Sequence, residues 1–304
     1  MKPRHRNDAL GQILTAIPVC YSEELLADSG SFSPSAAKPR HVVVAWQRER
    51  WPLAINAIEP ARQSDLMLAH DANFVRGVLD GAIPNGFGTQ SLDVARSLPY
   101  TTGAMLGAAR SALKSGCSCA PVSGFHHAHY DEAGGFCTFN GLVVAARKLI
   151  EEGSVQRVLI LDCDMHYGDG TDQILEKLGI RRAIAHETFG RWFHGLRHAE
   201  QYLERLRAVA AGFGAFDFIL YQAGADVHVE DPLGGILTTE QMTERDRLIF
   251  RAARSSGTPI AWNRAGGYQA PLAKVVALHV NTMRECASVY APNGIPVGIG
   301  ECHA

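Results

Sequence analysis

The chain has 304 residues, 46% of them hydrophobic, and a formal net charge of −2. That length suits one large α/β domain or two modest ones, with ample material for a buried core. The near-neutral balance excludes a global basic field for direct nucleic-acid binding or for an anionic membrane surface. No run approaches the ~18 uninterrupted apolar residues of a membrane span.

The N-terminus carries Lys2, Arg4, His5 and Arg6 before a weakly apolar stretch that Gly11, Gln12 and Thr15 interrupt. It does not read as a signal peptide. Residues 1–18 form an extension without a recognisable motif, and 19–304 read as a single catalytic domain. Glycines and prolines mark 83–100 as a long loop. Helical spacing follows over 98–113, 141–152, 171–178, 198–211 and 239–255. Short strands fall at 120–123, 157–161, 216–221 and 259–262. Strands alternating with helices indicate a parallel sheet covered on both faces. The seven cysteines are odd in number and lack recurring spacing, which reads as reduced thiols in a cytoplasmic protein.

Every unusual polar cluster follows the C-terminal end of a predicted strand, the edge where open α/β sheets bind ligands. The first is Asp162-Cys163-Asp164-Met165-His166, running on through Gly168 and Asp169 to Thr171. In extended chain, residues two apart share a side, so Asp162, Asp164 and His166 can face one ion. The bland alternative is a loop whose aspartates cap the next helix. A second cluster, Gln222 to Gly235, supplies Asp226 as a further ligand. Three protein ligands with one open position suit a hydrolytic zinc, and Fe(II) is chemically acceptable on the same oxygen-rich set. The third cluster, Gly124 to Phe136, holds adjacent His126 and His127. Each imidazole needs partners for two ring nitrogens, and Asp162 and Asp169 are available to orient a general base. Surface histidines or extra metal ligands are the alternatives. In the fourth, Gly266-Gly267-Tyr268, the glycines let the backbone approach a ligand and the phenol can donate to an oxyanion.

Together these stretches resemble the histone deacetylase family, which includes acetylpolyamine amidohydrolases and acetoin-utilisation proteins. The resemblance is to a bacterial-type, class II-like member and runs in order from about Tyr21 to Tyr268. It implies an arginase/deacetylase-like three-layer α/β/α fold with a central, mainly parallel sheet. It also implies a zinc-dependent amidohydrolase that removes acyl groups from acylated lysine or a small acylated amine. Asp164, His166 and Asp226 become the zinc ligands. His126 and His127 become the tandem histidines, backed by Asp162 and Asp169, with His127 favoured as the base. Tyr268 polarises the substrate carbonyl. Gly135 and Phe136 supply a backbone acceptor and one wall of the acyl tunnel, and Phe193 is a candidate for the opposite wall. The family also often holds structural potassium near Asp162, on its side chain and the carbonyls of Asp164 and His166.

The sequence departs from the family pattern in three places. The segment 183–186 lacks the hydroxyl residue often seen in the potassium shell. Tyr167 replaces a common histidine, and Arg264 precedes the Gly-Gly-Tyr turn, at either the site rim or the surface. Two rivals stand beside the deacylase: a two-metal ureohydrolase of the arginase type and a non-catalytic binder of acylated amines. Cys163 and Met165 sit where a hard manganese pair would need further ligands. Acetylpolyamines and other small amides or esters remain open as substrates; Asp93, Glu230 and Asp231 could form an acidic rim for cationic amines, with scattered surface acids the commoner explanation. The sequence leaves a homo-oligomer open.

Overall fold

The computed structural model describes residues 13–294; Cys302 and most of the 1–18 extension lie outside that range. Seven strands form one sheet: β1 (Ile17–Cys20), β2 (Leu53–Asn56), β3 (Cys117–Ala120), β4 (Val158–Asp162), β5 (Ile184–Thr188), β6 (Phe218–Gly224) and β7 (Ile260–Ala265). Their order is β2-β1-β3-β7-β6-β4-β5, and every pairing is parallel. Helices connect them: α1 (Lys38–Arg48), α2 (Gln63–Leu66), α3 (Ala72–Leu79), α4 (Leu92–Ser115) and α5 (Gly141–Glu151). The second half adds α6 (Asp169–Lys177), α7 (Ala199–Ala211), α8 (Thr239–Ser256) and α9 (Leu272–Tyr290).

The central strands are apolar on both faces because helices cover both. Leu159, Leu161, Ile219, Tyr221, Ile260 and Trp262 point into the layer built by α1, α7, α8 and α9. Their neighbours Val158, Ile160, Phe218, Leu220 and Ala261 point into the layer of α4, α5 and α6. This period of two divides a continuous apolar run between two cores.

Four expected strands and five expected helices are present with shifted ends. The 83–100 segment differs more. Its second half is helix, capped where Ser91 Oγ accepts from the Val94 N–H at 3.4 Å. Pro99 lies inside α4 rather than ending a loop. Its carbonyl accepts from Ala61 N at 2.8 Å, so this tertiary contact and a buried apolar face outweigh the proline's local penalty. Strands β1, β2 and β5 and helices α1, α2, α3 and α9 lie outside the expected elements.

The site follows from the strand order. β3, β7, β6 and β4 are consecutive neighbours, and being parallel they end at one edge. The four polar clusters are the loops leaving these four strands.

Candidate active site

Asp162 is the last residue of β4, and its carboxylate is fully buried. Its Oδ1 accepts from Gln222 Nε2 at 2.9 Å and from the Asp164 N–H at 3.2 Å. Its Oδ2 lies 2.7 Å from His126 Nδ1. These bonds hold the next turn in a shape that sends Asp164 and His166 to one side. His166 Nδ1 then sits between two carboxylates, 3.2 Å from Asp164 Oδ1 and 3.0 Å from Asp226 Oδ2. One ligand atom from each of Asp164, His166 and Asp226 falls within 4.8 Å of the others.

The electrostatics of this trio suit a dication. Asp164 and Asp226 are both buried and share one imidazole. Burial and the neighbouring Asp164 push Asp226 up to about 7. Hydrogen bonds to both carboxylates raise His166 to about 11. Two crowded carboxylates that need a shared proton would be relieved by a metal ion, and three protein ligands would leave a further position open.

The tandem histidines are posed alike but sit differently. Each presents Nδ1 to a carboxylate: His126 to Asp162, and His127 to Asp169 Oδ1 at 2.6 Å. The rings lie 4.1 Å apart, with His127 5.9 Å from the His166 ring. His126 has a side chain 3% exposed, and its Nε2 faces Asp164 Oδ1 at 3.5 Å. Burial disfavours its charged form, but Asp162 and Asp164 more than offset this and hold it at about 9. The His127 side chain is 23% exposed, which leaves it open to a bound substrate. Gly135 packs against it: a Cβ there would stand 2.7 Å from His127 Cγ, and its φ is +52°. Phe136 follows with φ +63°, a costly conformation for a non-glycine residue. The strain persists because Phe136 N–H donates to Gly86 O at 3.0 Å and the ring is gripped from several sides.

Tyr268 arrives from the loop after β7. Its N–H donates to Asp231 Oδ2 at 2.7 Å, and its ring lies 5.8 Å from Phe136. Burial, then the Asp226 and Asp164 charges, raise the phenol far above its ordinary value, so it stays a donor. The turn before it is tied down by Lys38, whose buried Nζ donates to Gly266 O. Burial and the nearby Arg264 push this ammonium down to about 7.

A cavity of about 180 Å³ connects these groups to solvent, with His126, His127, Asp164, His166, Phe136 and Tyr268 among its lining. Gly135 also lines it; Phe193 does not. The Phe193 ring instead packs 5.9 Å from Phe189 and 5.6 Å from Tyr202, on the edge of the core. Leu233 lines the cavity, at 43% exposure, from the loop that also carries Asp226. Sequence reasoning missed Lys38, Ser35 and the aromatic pair that flanks Phe136. Phe32 meets its ring edge-on at 5.4 Å and Phe87 lies at 5.9 Å. Phe32 is 80% exposed, a large apolar side chain packed against Phe136 that composition alone does not single out.

The three acids form no shared rim, and Asp231 is not a surface group either. Asp231 is buried beneath Tyr268, Glu230 pairs with Lys274 at 3.1 Å, and Asp93 accepts from the Asp28 N–H. Arg264 is at neither rim nor surface: it is fully buried in β7, with Nε donating to Pro121 O at 2.9 Å. The six described cysteines are buried and unpaired by disulfides.

With this geometry in hand, comparison with known proteins places the chain. A family model for the histone deacetylase domain matches residues 37–189, and the chain belongs to that family. An uncharacterized protein of Picosynechococcus sp. is 27% identical over 257 residues, covering 74% of this chain and 82% of that protein. Histone deacetylase 2 of Arabidopsis thaliana is 27% identical over 252 residues, 72% of this chain and 65% of the plant protein. Acetylpolyamine amidohydrolase of Mycoplana ramosa is 29% identical over 176 residues, 48% of this chain and 50% of that one.

Two solved structures share the fold. One is an acetylpolyamine aminohydrolase from Burkholderia pseudomallei, with TM-score 0.70 and 16% identity, covering 90% of this chain and 99% of that one. The other is the HDA15 HD domain, with TM-score 0.71 and 17% identity, covering 90% of each. The three-layer architecture is therefore the deacetylase fold expected from the sequence.

Proposed function

We propose that the chain is a metal-dependent amide hydrolase that removes the acyl group from acylated lysine or a related acylated amine. The observation that carries this reading is convergence. An Asp-His-Asp trio with both carboxylates buried, two carboxylate-backed histidines and a protonated tyrosine converge from four separate loops, and Asp164, His166, His126, His127 and Tyr268 line one cavity. Membership in the deacetylase family supports the same reaction class.

Asp164, His166 and Asp226 would hold a zinc ion, or Fe(II) in its place. Such an ion supplies Lewis-acid polarisation of a carbonyl and lowers the pKa of water toward ~7. The chain's own residues do the rest. Phe136 flanks the entering acyl chain, and the neighbouring aromatic rings keep bulk water from it. Asp169 fixes His127 with Nδ1 engaged, leaving Nε2 to take a proton as water attacks the carbonyl carbon. His126, seated between Asp162 and Asp164, contributes chiefly charge. Tyr268 Oη donates to the carbonyl oxygen as negative charge builds there. The proton held on His127 then passes to the departing amine.

The decisive experiment is hydrolysis of an acetyl-lysine peptide and of acetylpolyamines by purified protein, before and after chelation. Turnover that disappears with chelator and returns with zinc is the expected result. A zinc-loaded protein that cleaves none of a broad panel of acylated amines and esters would overturn this reading in favour of the binding-protein alternative.

A further inference from the structure

The deacetylase resemblance carries an expectation of structural potassium beside Asp162, and the residues there do not fit it. A potassium ion needs oxygen lone pairs, but the Asp162 carboxylate is already ringed by nitrogen. Gln222 Nε2 and Asp164 N–H take Oδ1, and His126 Nδ1 takes Oδ2. On the outer side of Oδ2 lies the imidazole of His186, with Nε2 3.7 Å away. That side chain is fully buried, and Nε2 has no hydrogen-bond partner among the described residues. The space is closed by backbone. A Cβ on Gly168 would stand 2.6 Å from Asp162 Oδ2 and 2.9 Å from His186 Cε1. The His166 carbonyl, another expected donor, is covered by Gly190, where a Cβ would also stand 2.5 Å from Met165 O.

His186 is held there from behind. Its Nδ1 lies 3.1 Å from Asp172 Oδ1, and the same carboxylate accepts from Tyr167 Oη at 2.6 Å and Arg181 at 2.8 Å. Arg191 closes the group at 3.4 Å. Two departures from the family pattern, one on either side of α6, thus meet in one cluster. Tyr167 anchors the carboxylate that anchors His186, and the segment lacking a hydroxyl is the one that contributes this imidazole.

We propose that His186 takes the place of the structural cation: its imidazole, seated between Asp172 and Asp162, occupies the outer side of the Asp162 carboxylate, so this chain folds and holds its metal turn without bound potassium. A buried carboxylate requires a compensating partner; with a carboxylate facing each ring nitrogen, His186 supplies one as the doubly protonated, cationic ring, and being covalently attached it cannot dissociate.

The test reads unfolding rather than turnover, so its outcome is independent of the amide-hydrolase reading. The thermal midpoint of the zinc-loaded full chain is followed while KCl replaces choline chloride at constant ionic strength. A site filled at about a hundred times its Kd would raise the midpoint by several degrees; no saturable shift is expected here. His186→Ser, which vacates the position and restores a hydroxyl, is expected to unfold several degrees lower in choline and to regain part of the loss as KCl is added. A saturable potassium shift in the unsubstituted protein would overturn the proposal. So would an anomalous rubidium peak beside Asp162 in its crystals, or a His186→Ser protein as stable as the parent in choline. If the variant does not fold, the parent titration and the rubidium soak decide alone.

Discussion

The carboxylate of Asp226 rests directly on the backbone of Gly266: a Cβ at that glycine would stand 2.6 Å from Asp226 Oδ2. The two residues leave neighbouring strands, β6 and β7, so the turn that delivers Tyr268 is also the floor beneath a proposed metal ligand. Gly266 has φ +52°, which adds strain for any side chain placed there. Gly266→Ala should therefore displace Asp226 and weaken zinc affinity by about 10–100-fold, the usual penalty for disturbing a ligand's support. Competition with a chromophoric chelator measures this. An unchanged affinity would show that the contact relaxes at no cost to the ligand.

The tandem histidines should separate by function. His127→Ala is expected to lower kcat by about 10²–10⁴ while the protein keeps its metal, as for loss of a general base. Asp169→Asn should follow it more weakly, because Asp169 acts by orienting the ring through the 2.6 Å bond. His126→Ala should instead weaken metal binding as well, since its Nε2 faces the proposed ligand Asp164 at 3.5 Å. Should His126→Ala abolish turnover at full metal occupancy while His127→Ala spares it, the two roles are reversed.

The local parts of this site were legible in the sequence, and its supports were not. Asp162, Asp164 and His166 lie within five residues at a strand end, so spacing alone suggests a shared ion; Asp164 and His166 do converge, with Asp226, while Asp162 turns to His126 and Gln222. Asp226, His126, His127 and Tyr268 each follow a strand whose apolar run is short and clear. Their meeting required only that those strands be parallel neighbours. The burial of Lys38 and Arg245 leaves no mark in the sequence, because nothing in a helical pattern says that a charged side chain is sealed in. His186 carries no signal beyond its position in a strand. Phe193 sits near an expected tunnel wall in sequence, but its ring turns into the core against Phe189 and Tyr202. Long-range packing sets such side-chain directions, and local patterning does not encode them.

Tyr268→Phe should lower turnover by about 10²–10³, the loss typical of one oxyanion donor. Zinc content and the unfolding midpoint should stay unchanged. The Tyr268 N–H, not its hydroxyl, makes the 2.7 Å bond to Asp231 that fixes the loop, so the backbone is retained. Turnover near that of the parent would remove the phenol from the reaction.

Metal uptake should release protons. Without an ion, His166 is held protonated by Asp164 and Asp226, its pKa raised to about 11. A ligand imidazole must be neutral, so binding displaces that proton. The sign follows: protons compete with the metal, and affinity rises with pH by about tenfold per unit above pH 7. Below pH 7 the dependence steepens, because Asp226, lifted to about 7 by burial and by Asp164, must also ionise. Calorimetry in buffers of different ionisation enthalpy counts the protons. A binding enthalpy that is independent of buffer at pH 8 would contradict this account.

Arg245 should matter to stability although it lies behind the cavity and touches no substrate. Its guanidinium, on α8, is fully buried and pairs with buried Asp246 at 2.8 Å. One nitrogen also donates to Gly224 O at 2.7 Å and lies 3.4 Å from Cys163 O. Those carbonyls belong to the two turns that carry Asp226 and Asp164, so one side chain braces both from behind. Asp246 keeps hydroxyl donors from Tyr221 and Thr282, but hydroxyls cannot replace the lost charge. Removing one member of a buried pair typically costs about 3–5 kcal/mol, and Arg245→Met should destabilise the fold by that amount in denaturant unfolding. Arg245→Lys should fall between the two, because an ammonium keeps the charge but cannot span Asp246 and the carbonyls with one planar fork. If Arg245→Met unfolded within about 1 kcal/mol of the parent, the brace would be dispensable, and the two turns would have to be held by the hydrogen bonds around Asp162 alone.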